Sequence, residues 1–293
     1  MHRYLGLSLW ILAGCGGDGG PLTSTGSPDP TTSPDPTTSP DPTTSPDPTE
    51  PHTGPDRRHD CAGLDPADPA PLEGYVALTF DDGPSVTQTP RILDTLRAYG
   101  APATFFIVGE MLADPDTWPI AEEIVADPLF ELANHSWDHA DLSSLSSGSL
   151  QAEIDDTTAL IETFGVSPRY FRFPYGASTC GAVDLSRGRG MHVTGWHIDT
   201  ADWCYAAIGT PGSCTTADYF RIPEEHTDDM IGFALEQIRR FDGGVVLLHD
   251  IHGYTADTLE LLIQSLLSEG YTLTSLDDLQ AFPRLNQDDP ADL

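Results

Sequence analysis

The sequence predicts an α/β protein built as a parallel β/α barrel, on three observations. Seven short apolar runs recur between residues 75 and 275, and longer stretches with helical spacing fall between them. The first run ends on two adjacent carboxylates, Asp81 and Asp82, at the kind of strand end where barrels gather their chemistry.

The first strand, 75–80, leads into "TFDDGP" and stops at a Gly-Pro turn. Helical spacing at 88–99 precedes the second strand, "ATFFIV" at 103–108. A helix over 117–126 leads to a strand at 130–133, and one over 148–164 leads to a strand at 169–173. The fifth apolar run covers 192–198. Helical stretches at 228–240 and 256–269 flank the sixth strand, 245–249, and a seventh run at 271–275 closes the series.

Ahead of this region the composition changes. The opening "MHRYLGLSLWILAGCGG" has an apolar run from Tyr4 to Ala13, shorter than the ~20 residues that span a bilayer and laid out as a secretion signal. Leu12-Ala13-Gly14-Cys15 resembles the lipobox of bacterial lipoproteins. The resemblance implies a signal peptide over 1–14 and a lipid anchor on Cys15, in the outer membrane or at the cell surface. Gly16 rather than Asp follows, so the familiar inner-membrane retention signal is missing. "SPDPTT" then repeats from Ser27, Ser33 and Ser39, with "SPDPTE" from Ser45. Such proline spacing denies both helix and ladder donors, so 15–60 reads as a disordered Pro/Thr/Ser-rich tether before a domain over 61–290.

Charge narrows the partners. Asp and Glu number 46 against 13 Lys+Arg, a formal charge of -33, and every cation is Arg. A nucleic-acid partner would need basic patches that the chain does not offer. The surplus acid suits solvent outside a cell.

Two carboxylates side by side raise each other's cost of ionisation unless a cation or a hydrogen-bond network relieves them. "HSWDH" supplies a means: His135 and His139 stand four apart, a spacing that brings both imidazoles to one side of a helical turn. A histidine pair alone is more often surface decoration. With a carboxylate at a neighbouring strand end, two imidazoles and one oxygen ligand leave open positions suited to catalytic zinc.

Five motifs in order, "TFDDGP", "HSWDH", "RFPYG", "DTADW" and "LLHD", are similar to those of polysaccharide deacetylases, the NodB-homology domain of carbohydrate esterase family four, over residues 73–282. The resemblance implies an irregular (β/α)7 barrel and a metal-dependent hydrolase that removes N-acetyl groups from an envelope or extracellular glycan. Peptidoglycan, chitin-like chains and poly-N-acetylglucosamine are the N-acetylated substrates it implies. Asp81 would be the base, and Asp82, His135 and His139 would hold one divalent ion, zinc or else cobalt or nickel. Arg172 would pair with Asp81, and the Tyr175 N–H would meet the oxyanion. His249 would be the general acid, oriented by Asp202, which keeps its pKa high; Trp203 and Leu247 would enclose the acetyl methyl group. An O-acetyl esterase of xylan and an inactive glycan-binding barrel stay open as alternatives. Asp199 and Asp250 have no assignment beyond support.

One segment departs from the family pattern. "CYAAIGTPGSCTTADYFRIPEEHT", residues 204–227, is long and cysteine-bearing, leaves the active-site rim, and is expected to shape the substrate groove. With Cys15 lipidated, four cysteines remain, and an exported context favours disulfides. Cys204 with Cys214 and Cys61 with Cys180 is the pairing expected, in a monomer.

Overall fold

The computed structural model describes residues 72–207 and 211–286. The signal, the tether, Cys15 and Cys61 lie outside the described residues. The elements alternate along the chain. The first half runs β1 (Tyr75–Asp81), α1 (Thr89–Tyr99), β2 (Ala103–Ile107), α2 (Gly109–Leu112), α3 (Trp118–Ala126), β3 (Phe130–Asn134), α4 (Ser147–Glu162) and β4 (Tyr170–Phe171). After α5 (Cys180–Arg187) come β5 (His192–Val193), β6 (Ile198–Asp199), α6 (Asp202–Tyr205), α7 (Met230–Phe241) and β7 (Gly243–His249). The last elements are α8 (Gly253–Ser268), β8 (Thr272–Leu273) and α9 (Pro283–Asn286).

Alternation along each strand decides what faces the helices and what faces the barrel axis. Val76, Leu78 and Phe80 of β1 join Phe105, Leu132, Val246 and Leu248 in a core against Ile92 and Leu96 of α1 and Leu259, Leu262, Ile263 and Leu266 of α8. The alternate residues turn inward: Ala77, Phe106, Ala133 and Val245 meet Tyr170 inside the barrel. Leu276, Phe282 and Leu285 plug the barrel end where the strands begin, and the Tyr170 hydroxyl donates to Asn286 Oδ1 at 2.6 Å. Both faces are covered, so β1 and β7 are buried almost throughout.

All pairings are parallel, in the order β5-β4-β3-β2-β1-β7-β6. This seven-strand path is the irregular β/α barrel that the sequence predicts. β8 pairs with β1 at Tyr75 and Val76, on the edge that β2 occupies from Leu78 onward. The β1–β7 register sets Asp81 opposite His249.

The run at 192–198 differs from expectation. It is not one strand but two, β5 and β6, at opposite ends of the sheet. The Thr194 N–H still bonds Phe171 O at 3.1 Å, whereas the His197 N–H already bonds Val245 O at 2.9 Å. So short a link holds the two edges within about 18 Å of each other. The sheet therefore curls into a barrel with an open seam. α5 was not foreseen; Thr179 starts it, its hydroxyl accepting the Ala182 N–H.

Candidate active site

β1 delivers two successive carboxylates to different tasks because the backbone turns left-handed between them. Asp82 has φ 75°, a conformation costly for a residue with a Cβ. Asp81 stays at the strand end, buried, and its Oδ1 accepts Arg172 Nη1 at 2.7 Å. Arg172, fully buried at the end of β4, also donates to Thr79 Oγ1 at 2.8 Å and to Gly195 O at 2.9 Å. Asp81 Oδ2 faces His135 Nε2 at 3.6 Å.

Asp82 faces the two histidines. Its Oδ1 lies 3.4 Å from His135 Nε2 and 3.1 Å from His139 Nε2, yet this buried oxygen has no aligned hydrogen bond. Each imidazole uses its other nitrogen elsewhere: His135 Nδ1 meets Arg172 O at 2.8 Å, and His139 Nδ1 meets the Tyr175 hydroxyl at 3.1 Å. A ring that donates through Nδ1 carries its lone pair on Nε2, the form that binds a metal. One ligand atom from each of Asp82, His135 and His139 lies within 4.8 Å of the others. The donor set and the orphaned oxygen fit a divalent cation. Burial opposes the Asp82 charge, but the imidazoles of His135, His249 and His139 outweigh it and hold the carboxyl well below its usual range. Burial lowers the pKa of His139, against the opposing charge of Asp82.

The expected helical turn through "HSWDH" is absent. Residues 135–141 are irregular, and the imidazoles converge because Ser136 (φ 70°) and His139 (φ 60°) are both left-handed. A helix here would have carried the loop away from β1.

Across the cleft, β7 ends at His249. Ala201, at φ 53°, turns the chain from β6 into α6 and swings Asp202 beneath that histidine. Asp202 Oδ1 meets His249 Nδ1 at 2.7 Å and accepts the Trp203 N–H at 3.0 Å. Its Oδ2 accepts the His249 N–H at 2.8 Å and Thr255 Oγ1 at 2.6 Å. Four donors thus satisfy a fully buried carboxylate. Burial alone would lower the His249 pKa; the Asp202 charge and hydrogen bond reverse that and raise it to about 10.

Between these pairs lies an open cavity of about 550 Å³, lined by Asp81, Asp82, His135, His139 and His249 and by Tyr175, Trp203 and Leu247. All ten residues singled out in the sequence border it or hold those that do. Tyr175 is left-handed and 70% exposed, and Trp203 is 40% exposed, so neither is core; Leu247 is buried. The Cys204–Cys214 disulfide forms as expected, with a Cα–Cα distance of 5.4 Å. Cys180 is also disulfide-bonded; Cys61 lies outside the described residues.

The profile of the polysaccharide deacetylase family matches residues 69–194. The chitooligosaccharide deacetylase of Rhizobium leguminosarum bv. phaseoli is 34% identical over 175 residues, 59% of this chain and 66% of that protein. The peptidoglycan-N-acetylglucosamine deacetylase PgdA of Listeria monocytogenes is 32% identical over 206 residues, 70% of this chain and 38% of that protein. The solved structure of T48 deacetylase with substrate is 30% identical, with a TM-score of 0.56 over 72% of this chain and 92% of that one. The chain belongs to the polysaccharide deacetylase family.

In this deacetylase-family chain, several supporting groups escaped the sequence reading. Thr255 carries no motif signal, being one hydroxyl in the first turn of α8. Asp250, left unassigned, is wedged behind the Gly83 turn and accepts Thr89 Oγ1; burial first, then the Asp82 charge, pushes its pKa up to about 7. Asp199 accepts the Ala201 N–H and the Tyr219 hydroxyl, each at 2.9 Å, and so ties the 204–227 insert to the cleft. Adjacent aromatics in a polar loop, Tyr219 and Phe220, were the available signal.

Proposed function

We propose that the protein is a metal-dependent hydrolase that removes N-acetyl groups from an envelope or extracellular glycan. One observation carries the reading: an Arg172–Asp81 pair and an Asp202–His249 pair face each other across a cleft that also holds an Asp-His-His ligand set. The names of the similar proteins support an acetamido sugar as substrate. The chain spans about two fifths of the length of the Listeria relative.

Asp82 and the Nε2 atoms of His135 and His139 would hold the ion, with zinc favoured and cobalt or nickel compatible. Once bound, it supplies a Lewis acid and a more acidic water. Asp81 acts as general base: Arg172 fixes one oxygen, and the other takes the proton of the attacking water. The Tyr175 N–H donates to the carbonyl oxygen as negative charge develops there. His249, protonated by virtue of Asp202, gives its Nε2 proton to the departing amine. Trp203 and Leu247 pack on the acetyl methyl group, which limits the acyl chain.

The apolar run and Leu-Ala-Gly-Cys support export and anchoring through Cys15, with the proline-rich repeats as tether and a monomeric barrel over 61–290. Acetate release from chitin oligomers, peptidoglycan and acetylxylan, measured side by side, tests the activity. The expected result is release from an acetamido substrate that a chelator abolishes and Zn²⁺ or Co²⁺ restores, with lower metal stoichiometry in a folded His135→Ala variant. Release from acetylxylan alone would make it an ester hydrolase, and full activity in metal-free protein would remove the ion from the reading.

A further inference from the structure

One wall of the cleft consists of three consecutive residues of the insert, Tyr219, Phe220 and Arg221. The wall is braced from behind. Trp203 packs against Tyr219 with ring centroids 5.3 Å apart, and Tyr219 against Phe220 at 5.5 Å. The Tyr219 hydroxyl is held by Asp199, the Cys214 N–H bonds Thr227 O at 2.8 Å, and the Cys204–Cys214 disulfide closes the base of the loop. Phe220 nevertheless stands 76% exposed at the mouth of the cleft. An aromatic face held open to water on a braced loop gains free energy only when a ligand covers it.

Arg221 lies beside that ring, its guanidinium carbon 5.5 Å from the Phe220 centroid. Arg91, Arg97, Arg169, Arg172, Arg189 and Arg239 each pair with a carboxylate. Among the described residues Arg187, Arg221 and Arg240 form no such pair, although the chain carries 46 acidic residues against 13 basic ones, and of these three Arg221 is the one that lines the cleft. A planar guanidinium with free donors matches a carboxylate two bonds at a time.

We propose that Tyr219, Phe220 and Arg221 form a subsite for an acidic glycan, in which one sugar stacks on the aromatic rings and a carboxylate on that sugar pairs with Arg221. The sugar bound there neighbours the acetamido unit in the cleft, so this deepens the deacetylase reading and rests on it. Because the molecule as a whole is negative, recognition of such a chain has to come from contact at this point rather than from long-range attraction. The carboxylate has two sources in glycans of this class, the lactyl ether of a peptidoglycan strand or a uronic acid.

The test compares kcat/KM for acetate release from three oligosaccharides of equal length: neutral N-acetylglucosamine oligomers, a peptidoglycan strand with free lactyl carboxylates, and alternating N-acetylglucosamine and glucuronate. In Arg221→Gln the ratio of carboxylated to neutral kcat/KM should fall about tenfold, mainly through KM, on at least one acidic oligomer, and Arg221→Lys should recover part of it. The oligomer that responds identifies the source of the carboxylate. Ratios equal to wild type on both acidic oligomers overturn the subsite. Calorimetric binding of the same oligomers to Asp81→Asn protein, with and without Arg221→Gln, reads the subsite independently of turnover. A wild-type chain that releases no acetate from any of them sinks the deacetylase reading, while the binding comparison still decides the role of Arg221.

Discussion

His249 and Asp81 stand opposite each other in the β1–β7 register, but their partners differ in sign. Asp81 has a guanidinium against it and His249 has a carboxylate, which is the arrangement that separates a base from an acid. The His249 pKa is raised from 6.5 to about 10, so the ring keeps its proton through neutral pH and loses it as pH climbs through about 10. The stability that the pair contributes follows the same course, complete below 6.5 and gone above about 10. Without the Asp202 charge and hydrogen bond, only the weaker charges of Asp82 and Asp81 oppose burial, and the pKa falls. Asp202→Asn should therefore move the alkaline limb of kcat/KM to lower pH. His249→Ala should cost on the order of 10² to 10⁴ in rate on an acetamide and much less on an activated ester. An unmoved limb, or an unimpaired His249→Ala enzyme, removes the pair from proton transfer.

β7 begins on Gly243 and Gly244, both at positive φ, and a Cβ on Gly243 would lie 2.2 Å from Tyr75 O in the neighbouring strand. Gly243→Ala should destabilise the protein by about 3 kcal/mol, read as a lower urea midpoint at unchanged slope. A midpoint equal to wild type would show that β7 can re-register. The strands with long apolar runs, β1, β2 and β7, were legible in the sequence because two buried faces leave no room for polar alternation. The break between β5 and β6 was not, since an apolar run carries no mark of where it changes neighbours. α5 was missed because "CGAVDLSR" mixes Gly, Cys and charge within two turns. At the site, residue types were legible and backbone was not: Asp82, Ser136, His139, Tyr175 and Ala201 are all left-handed without being glycine, and only the assembled barrel imposes that.

At the scale of the whole molecule, the charge of -33 and the opening apolar run are the two sequence features behind the proposal that the protein works outside the cytoplasm. If Cys15 is the anchor, Cys15→Ser should shift the protein from the membrane fraction to the soluble one or block its processing. Wild-type protein that takes up no fatty acid label and fractionates as soluble refutes the anchor. The seam of the barrel has a further consequence. A sheet that ends in two edge strands normally offers each of them as a template on which another chain can add, the usual beginning of aggregation. Here the edges, β5 and β6, are two residues long, and the chain itself crosses from one to the other through residues 194–197 while Arg172 binds the crossing at Gly195. An approaching strand finds too short a ladder to extend, so the same crossing that leaves the barrel unclosed also guards it against its own kind.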